Sequence, residues 1–298
     1  MKDVFPFYTI GHFINQPLNP TEFEILRFEE MEEPQVDDFH KHTFYEILWF
    51  EEGESRQIID DREYHIKPQT LFFISPGQVH CFEEWQPLKG GSILFTEDFF
   101  LFNRQNKDLL FELRFLDNLY DAPFWQSDPE QFLETKHFID LIINEKKREA
   151  YSSAIAQSLL HVLLAQIQRC MDAQRPAAAP KRSVVRYKQF KQLLDLHFRE
   201  PLTAKDYAEK MFITQHQLNL VAKQVTGKTT SELIRSRNIL EAKRLLSFSD
   251  ASVSEVSERL SFYDLSYFAK VFKTETGMSP LAFKKAASEK YRNKSLSS

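Results

Sequence analysis

The C-terminal part of this 298-residue chain is written twice. Aligning Gly227 with Gly277, a shift of 50, sets His216 against Ser266, Leu218 against Phe268, Val221 against Val271 and Lys223 against Lys273. At a shift of 49, Thr203 meets Ser252 and Ala208 meets Ser257, so the second copy carries one extra residue in its turn. A unit repeated at this period is a supersecondary piece that buries its apolar face partly against its neighbours.

Each copy marks its own helix starts. Thr203-x-x-Asp206, Thr214-x-x-Gln217, Thr229-x-x-Glu232 and Ser252-x-x-Glu255 have the spacing of capping boxes, in which the hydroxyl accepts from the third helical N–H. Asp264 is placed to cap the matching helix of the second copy, and Ser279-Pro280 opens the last helix with proline where no N–H is needed. Gly227 and Gly277 fall at helix C-caps. The expected unit is a helix of about two turns, a short turn and a second helix, which is a helix-turn-helix. A further helix from Thr229 towards Phe248 joins the copies.

Charge divides the chain at the same place. Up to Asp172 there are 15 Lys and Arg against 31 Asp and Glu, net −16; from Ala173 onward there are 23 against 12, net +11. A basic helical segment points to a polyanionic partner. In helix-turn-helix docking the second helix of each unit lies in the major groove of double-stranded DNA, with its N-terminal residues at base edges. The candidate base contacts are Gln215, His216, Gln217 and Asn219 in the first copy, with Leu218, Val221 and Ala222 facing the core. In the second they are Leu265, Ser266, Tyr267, Ala269 and Lys270, with Phe268, Val271 and Phe272 inward. Glutamine and asparagine pair bidentately with adenine, and Lys270 suits guanine.

Other chemistries are excluded. The stretch from Ala222 to Thr229 fits a loose phosphate-loop pattern, but such a loop must follow a β-strand, and here its first half ends a helix. Seven glycines include no G-x-G-x-x-G, which removes a dinucleotide fold. Cys81 and Cys170 are too few for a disulfide framework and fit a reducing compartment. No apolar run reaches membrane-spanning length, and the start MKDVFPFYTI lacks the pattern of a signal peptide, so a soluble cytoplasmic protein is expected.

Residues 1–100 read as β-strands: Glu22 to Phe28, Thr43 to Phe50, Arg56 to Asp60, Glu63 to Lys67, Thr70 to Ile74 and Gly91 to Phe95, spaced by turn-prone pieces that include Gly90-Gly91. Regular short strands point to a sandwich or barrel. From 101 to 172 the pattern is helical, and Ile155, Leu159, Val162, Leu163 and Ile167 form a stripe that either packs on the β domain or makes a dimer seam. Two prolines between Gln174 and Arg182 mark a linker, taken as 173–183. The fold class expected is α+β in two domains: a β-barrel with following helices, then an all-α tandem helix-turn-helix over 184–290 and a disordered tail at 291–298.

The second copy, Ser252 to Phe283, contains S-Y-F-x-x-V-F-K followed by T-G-M-S-P. With this motif the segment from 184 to 290 resembles the DNA-binding domain of AraC/XylS transcription regulators. The chain departs from the family pattern at Ser257 (usually Ala), Ser261 (Gly), Lys284 (Arg) and Leu220, where the family often has a base-contacting Arg. Leu220 joins the base-contact candidates and inclines the first helix to thymine methyl groups. The resemblance implies that one protomer reads two successive major-groove segments ~34 Å apart on one face of the duplex. Phosphate-contact candidates are Thr203 and Ser252 at helix N-termini, with Lys223, Lys273 and Arg237.

His40-x-His42-x3-Glu46-x6-Gly53 and Ser75-Pro-Gly-Gln-Val-His80 resemble the two cupin motifs, except that Pro34 replaces a leading glycine, Ser75 a proline, and Glu84 a frequent Asn. The front domain is therefore similar to the cupin-like sensor of the same family. In metal cupins the residues matching His40, His42, Glu46 and His80 bind a divalent ion, and this donor set suits Zn, Fe, Ni or Mn. In the family's sensors the same cavity often takes an organic effector instead. The resemblance implies a bacterial, nucleoid-associated regulator of promoter or operator DNA. Its partners would be a small-molecule effector, a second copy in a homodimer and, for an activator, RNA polymerase; no enzymatic activity is expected. The rivals are a metal-dependent cupin enzyme and a constitutive DNA binder whose front domain only dimerises.

Overall fold

Strand alternation in the front unit sorts its side chains onto two faces, one for helices and one for an interior. The structure, a computed structural model, describes residues 7–31, 39–60, 62–82, 88–101, 110, 113–116, 122–173 and 180–292. Pro34, Glu84, residues 174–179 of the expected linker and 293–298 of the expected tail lie outside the described residues. Two compact units are present, one within 7–173 and one within 180–292.

The front unit contains β1 (Phe7–Tyr8), α1 (Ile10–Phe13), β2 (Phe23–Arg27), β3 (Lys41–His42), β4 (Tyr45–Glu52), β5 (Ser55–Ile59), β6 (Arg62–Ile66), β7 (Thr70–Ile74), β8 (His80–Phe82), β9 (Lys89–Phe95), α2 (Glu97–Leu101), β10 (Phe124–Gln126), α3 (Pro129–Lys146) and α4 (Ser153–Ala173). One antiparallel sheet has the order β10-β7-β4-β9-β2, a second the order β6-β5-β8, and β1 pairs with β3 in parallel. This is the α+β, cupin-like arrangement expected.

Because side chains alternate along a strand, Ile47 and Trp49 of β4, Leu71 and Phe73 of β7, and Ile93 and Phe95 of β9 share one face. They join Ile139 and Ile142 of α3 and Leu160, Leu163, Leu164 and Ile167 of α4 in one core. The opposite face carries Glu46, Leu48, Phe50, Phe72, Ile74, Ser92 and Leu94, all buried. It meets Ile59 and Ile66 of the smaller sheet.

Three expectations are corrected. The strand expected from Gly91 starts earlier, at Lys89, so Gly90 lies inside β9 rather than in a turn, and a Cβ on Gly91 would stand 2.4 Å from the Trp49 ring, so the missing side chain is what lets Trp49 pack. The α4 stripe divides: Leu163 and Ile167 are in the core, while Ile155 and Val162 are 48% and 46% exposed, since the buried face is centred about one residue further on, at Ala156, Leu160 and Leu164. Finally, the helix after the linker already includes 181–183, because Pro180 O accepts from the N–H groups of Ser183 and Val184, and the last helix runs to Arg292 into the expected tail.

The back unit is α5 (Lys181–His197), α6 (Ala204–Lys210), α7 (Gln215–Thr226), α8 (Thr230–Phe248), α9 (Val253–Arg259), α10 (Leu265–Thr276) and α11 (Pro280–Arg292). Thr203, Thr214, Thr229, Ser252 and Asp264 are the N-caps of α6 to α10, each accepting from the N–H three residues on. Gly227 and Gly277 close α7 and α10 at φ of 75° and 80°, the left-handed region that glycine enters at least cost. No helix among the described residues is long and apolar enough to cross a membrane.

Candidate nucleic-acid interface and sensor site

In the first helix-turn-helix, Leu218, Val221 and Ala222 of α7 are buried, which aims His216, Leu220 and Lys223 outward. Gln215 and Gln217 are also exposed. Two of the three amides are committed internally. Gln217 Oε1 accepts from the Thr214 N–H at 3.0 Å, closing the capping box of α7. Asn219 is half-buried, and its Oδ1 accepts at 2.9 Å from the N–H of Thr230, the first residue of α8. A bidentate adenine contact needs both the oxygen and the nitrogen of an amide, so Asn219 and Gln217 do not offer it while these bonds stand. Gln215 is the amide left.

In the second unit, Phe268 and Phe272 of α10 are buried, and Leu265, Ser266, Tyr267 and Lys270 are exposed, with Ala269 half-buried. Lys223 and Lys273 stand exposed near the ends of α7 and α10.

Three of the expected phosphate contacts have partners within the back unit. Arg237 is 7% exposed, its Nε donating to Asp195 Oδ1 at 2.6 Å and its Nη1 to Glu241 Oε2 at 3.2 Å, with its guanidinium 3.8 Å from the Phe198 ring centre. It is an internal tie between α8 and α5, not a free cation. At Thr203 and Ser252 the helix N-termini already hold anions: Asp206 Oδ2 accepts from Thr203 N–H at 2.7 Å, and Glu255 Oε2 from Ser252 N–H at 2.6 Å. The Thr203 hydroxyl and then its N–H hold the Asp206 carboxyl below its usual range, and the Ser252 N–H and then its hydroxyl do the same for Glu255, so a phosphate there would meet a resident carboxylate.

The family departures have local roles. Ser257 is buried on α9. Ser261 takes the left-handed conformation at φ 55° that glycine holds most easily, and its Oγ donates to Arg199 O at 2.6 Å. Lys284 Nζ donates to the Asp250 and Ala251 carbonyls just beyond α8.

The sensor cluster forms where β3, β4 and β8 meet. Pairing of His40 with His80 across a β-bridge and of Tyr8 with His42 brings the chain segments together. His42, Glu46 and His80 are buried, with one donor atom from each within 4.8 Å of the others. His42 Nε2 and His80 Nε2 stand 3.4 and 3.5 Å from Glu46 Oε2. His40 is not in this group; its ring packs edge-on against His80 at 4.4 Å, between Phe13 and Tyr8. The sequence thus named four residues, and three converge.

Supporting contacts fix the three. Ser92 Oγ donates to Glu46 Oε1 at 2.7 Å, Gln78 O lies 3.3 Å from His80 Nδ1, and the His42 ring stacks on Phe44 at 4.0 Å. Burial pushes His42 below its ordinary value, His80 adds to this, and Glu46 opposes it. For Glu46, burial is the largest influence and would raise the carboxyl, yet His42 and His80 together hold it well below the usual carboxylate range. Neutral imidazole beside carboxylate is the ligand state of a metal site. With Nδ1 turned to Gln78 O, His80 aims Nε2 at Glu46 Oε2 as His42 does, so two imidazoles and one carboxylate converge on one point. Tetrahedral bonds of about 2.0–2.1 Å place ligand atoms about 3.3–3.4 Å apart, close to the observed spacings, so the residues fit a divalent ion.

Sequence reading missed Gln57. Both its carboxamide atoms are fully buried and make no hydrogen bond among the described residues, and the same holds for His42 Nδ1. Gln57 lies opposite Phe82 and Tyr64 in the small sheet, on the face of Ile59 and His80. A polar residue sharing strand parity with Ile59 in R-Q-I-I-D was the available signal.

Comparisons with known proteins agree with this division of labour. Residues 24–179 match the model of the AraC-like ligand binding domain, and 207–286 match a helix-turn-helix domain. The chain is 25% identical over 249 residues to the HTH-type transcriptional activator RhaR of Cronobacter sakazakii, covering 81% of this chain and 84% of that one. Among solved structures, ToxT from Vibrio cholerae aligns at 15% identity over 89% of this chain and 98% of its own, with a TM-score of 0.38. The DNA-binding domain of AdpA, solved in complex with a target DNA, aligns at 23% identity over 35% and 94%, with a TM-score of 0.34. The family match spans more than half of the sequence, and the chain belongs to the AraC family of transcription regulators, with an AraC-like ligand-binding domain in front and a helix-turn-helix domain behind.

Proposed function

We propose that this regulator binds its effector inside the front unit and reads double-stranded promoter or operator DNA with α7 and α10. The observation that carries the reading is the duplicated, fully capped helix-turn-helix, whose second helices bury apolar residues on one side and present His216, Leu220, Lys223, Ser266, Lys270 and Lys273 on the other. In the interior, His42, Glu46, His80 and Gln57 form the effector site. Polar groups with open hydrogen-bonding capacity inside an apolar shell are what a small polar ligand satisfies. The 101–172 helices dimerise through the exposed apolar residues of α4, Ile155 and Val162. Ligand occupancy alters how the front unit holds the segment leading to the DNA-binding unit.

Selection of duplexes from a random pool by the full-length protein, with affinity then measured by fluorescence anisotropy with and without candidate effectors, tests this reading. A selected sequence bound more tightly than a scrambled one, with affinity falling by about 0.9 log unit per log salt for each neutralised phosphate, is expected. Salt-independent binding, or no enriched sequence, overturns it. A second reading, a divalent ion at His42, Glu46 and His80, is favoured by the 3.4 and 3.5 Å spacings. Titration with Co(II) followed by visible absorption separates the two, since a tetrahedral N2O-type site gives intense d–d bands that His80→Ala abolishes.

A further inference from the structure

On the outward face of α7, Gln215, His216 and Lys223 stand exposed, but the amide oxygens of Gln217, Asn219 and Gln224 are taken by the Thr214 N–H, the Thr230 N–H and the Ser183 hydroxyl. The exposed residues are spaced so that His216, Leu220 and Lys223 lie on one line opposite the buried Leu218, Val221 and Ala222. Asn219 and Gln217 flank that line, but the oxygen of each is held by a backbone N–H, Thr230 for one and Thr214 for the other. Freeing either would leave a helix N-terminus without its partner, and Thr230 is fully buried. At the middle of the line stands an aliphatic side chain, Leu220, 51% exposed, where a polar residue would meet no steric or burial constraint. The second reading helix repeats the choice: its first residue, Leu265, is 45% exposed. Both leucines are accompanied by exposed lysines, Lys223 on α7 and Lys270 and Lys273 on α10, so the surface around them suits a polyanion rather than an apolar protein face.

The major groove presents one apolar group to such a side chain, the 5-methyl of thymine. We infer that Leu220 and Leu265 recognise thymine through that methyl, and that the first helix-turn-helix draws its sequence preference from methyl contacts more than from amide–adenine pairs. The inference rests on the reading that α7 and α10 enter the major groove. It assigns the remaining polar groups different work: Lys270 to a purine edge, Gln215 and His216 to the rim, and Lys223 and Lys273 to phosphates.

Replacement of thymine by deoxyuridine removes the methyl and leaves every hydrogen-bonding group in place. The site selected by the full-length protein would be resynthesised with deoxyuridine at one thymine at a time, and Kd measured for the native protein, Leu220→Ala and Leu265→Ala. The expected result is a loss of roughly fourfold at one or two thymines under each recognition helix, the equivalent of ~0.8 kcal/mol for one buried methyl-sized group. That loss should vanish at the matching position in the alanine variant, whose thermal midpoint should equal that of the native chain because both leucines are surface residues. Uridine tolerated within twofold at every thymine, while full base-pair changes at those positions cost tenfold or more, overturns the inference and leaves groove reading intact. Uridine losses that persist unchanged in both variants also overturn it. If no sequence is enriched from the pool, the groove reading itself fails, and the inference with it.

Discussion

Asn219→Ala separates a structural amide from a base-reading one. In the structure Asn219 Oδ1 accepts from Thr230 N–H at 2.9 Å, across eleven residues, and so joins the middle of α7 to the start of α8. The first turn of α8 has four N–H groups without intrahelical partners. Thr229 Oγ1 accepts from Glu232, and Glu232 Oε2 takes the N–H of Thr229, which leaves the buried Thr230 N–H to Asn219. Alanine strands that donor away from water, at a cost of about 1–3 kcal/mol. For a unit of roughly 110 residues this corresponds to a fall in thermal midpoint of about 4–12 °C. Urea unfolding of the full chain, followed by a probe in the back unit, should show a lower midpoint with an unchanged slope. Asn219→Asp keeps the acceptor and places a negative charge at a helix N-terminus, so it should recover most of the loss. Sequence preference should survive in Asn219→Ala once measured below the new midpoint. If stability were unchanged and affinity dropped by about 1–3 kcal/mol at one A·T pair alone, Asn219 would be a base reader, and the assignment of its oxygen to α8 would be wrong.

Four further outcomes are expected. Arg237→Ala should destabilise the back unit by about 2 kcal/mol, less than the 3–5 of a fully isolated buried pair because Arg244 and Arg199 still face Glu241, and should leave the salt dependence of DNA binding unchanged. A reduced salt slope would show Arg237 on a phosphate after all. Glu46 is depressed and His42 is lowered in the folded front unit, so both groups bind protons more readily unfolded; the stability they contribute is present near neutral pH and is lost below about 6.5 for His42 and below about 4.5 for Glu46. Urea midpoints of the front unit from pH 7.5 to 4 should fall monotonically, and a rise on acidification contradicts the sign. Phe212 holds φ of 55° with its side chain 96% exposed, so Phe212→Gly should stabilise by up to about 1 kcal/mol, whereas Ser261→Gly also forfeits the bond to Arg199 O and should be near neutral. Gln57→Leu should raise the front unit's stability by about 1–2 kcal/mol while abolishing the effector response; a destabilised variant that still responds refutes a ligand role for Gln57.

What the sequence disclosed and what it hid divide by the range of the interaction. The N-caps Thr203, Thr214, Thr229, Ser252 and Asp264 were readable because a cap is settled within three residues. The repeat set their register, and Gly227 and Gly277 could only end helices. The barrel strands were readable from alternation, but the short β8 and β10 carry too few residues to show a period. Arg237 looked like a surface cation because the i,i+4 pair with Glu241 is common on exposed helix faces, while the partners that bury it, Asp195 and the Phe198 ring, lie some forty residues away in sequence. Asn219 misled for a related reason: on a helical wheel its position is peripheral, and only the approach of Thr230 decides which way its oxygen is spent. His40 packs against His80 beside the donor-atom group rather than within it, in contact with Phe13 and Tyr8 on a segment with no motif of its own.

The helix ends of the back unit and the interior of the front unit treat polar groups differently. In the back unit the end-of-helix groups are matched: hydroxyls and carboxylates serve helix N-termini, Lys284 serves the carbonyls beyond α8, and Arg237 is tied to Asp195 and Glu241. In the interior of the front unit the Gln57 carboxamide is buried without a hydrogen bond among the described residues, at a cost of about 1–3 kcal/mol against a matched or apolar alternative. Such a deficit leaves the front unit less stable than its large apolar core would make it, and a ligand that satisfies these atoms returns the difference on binding. Because a ligand stabilises only the state that binds it, the same atoms that weaken the empty barrel give the occupied one its advantage. The occupant thereby gains the leverage to select one arrangement of the front unit over another.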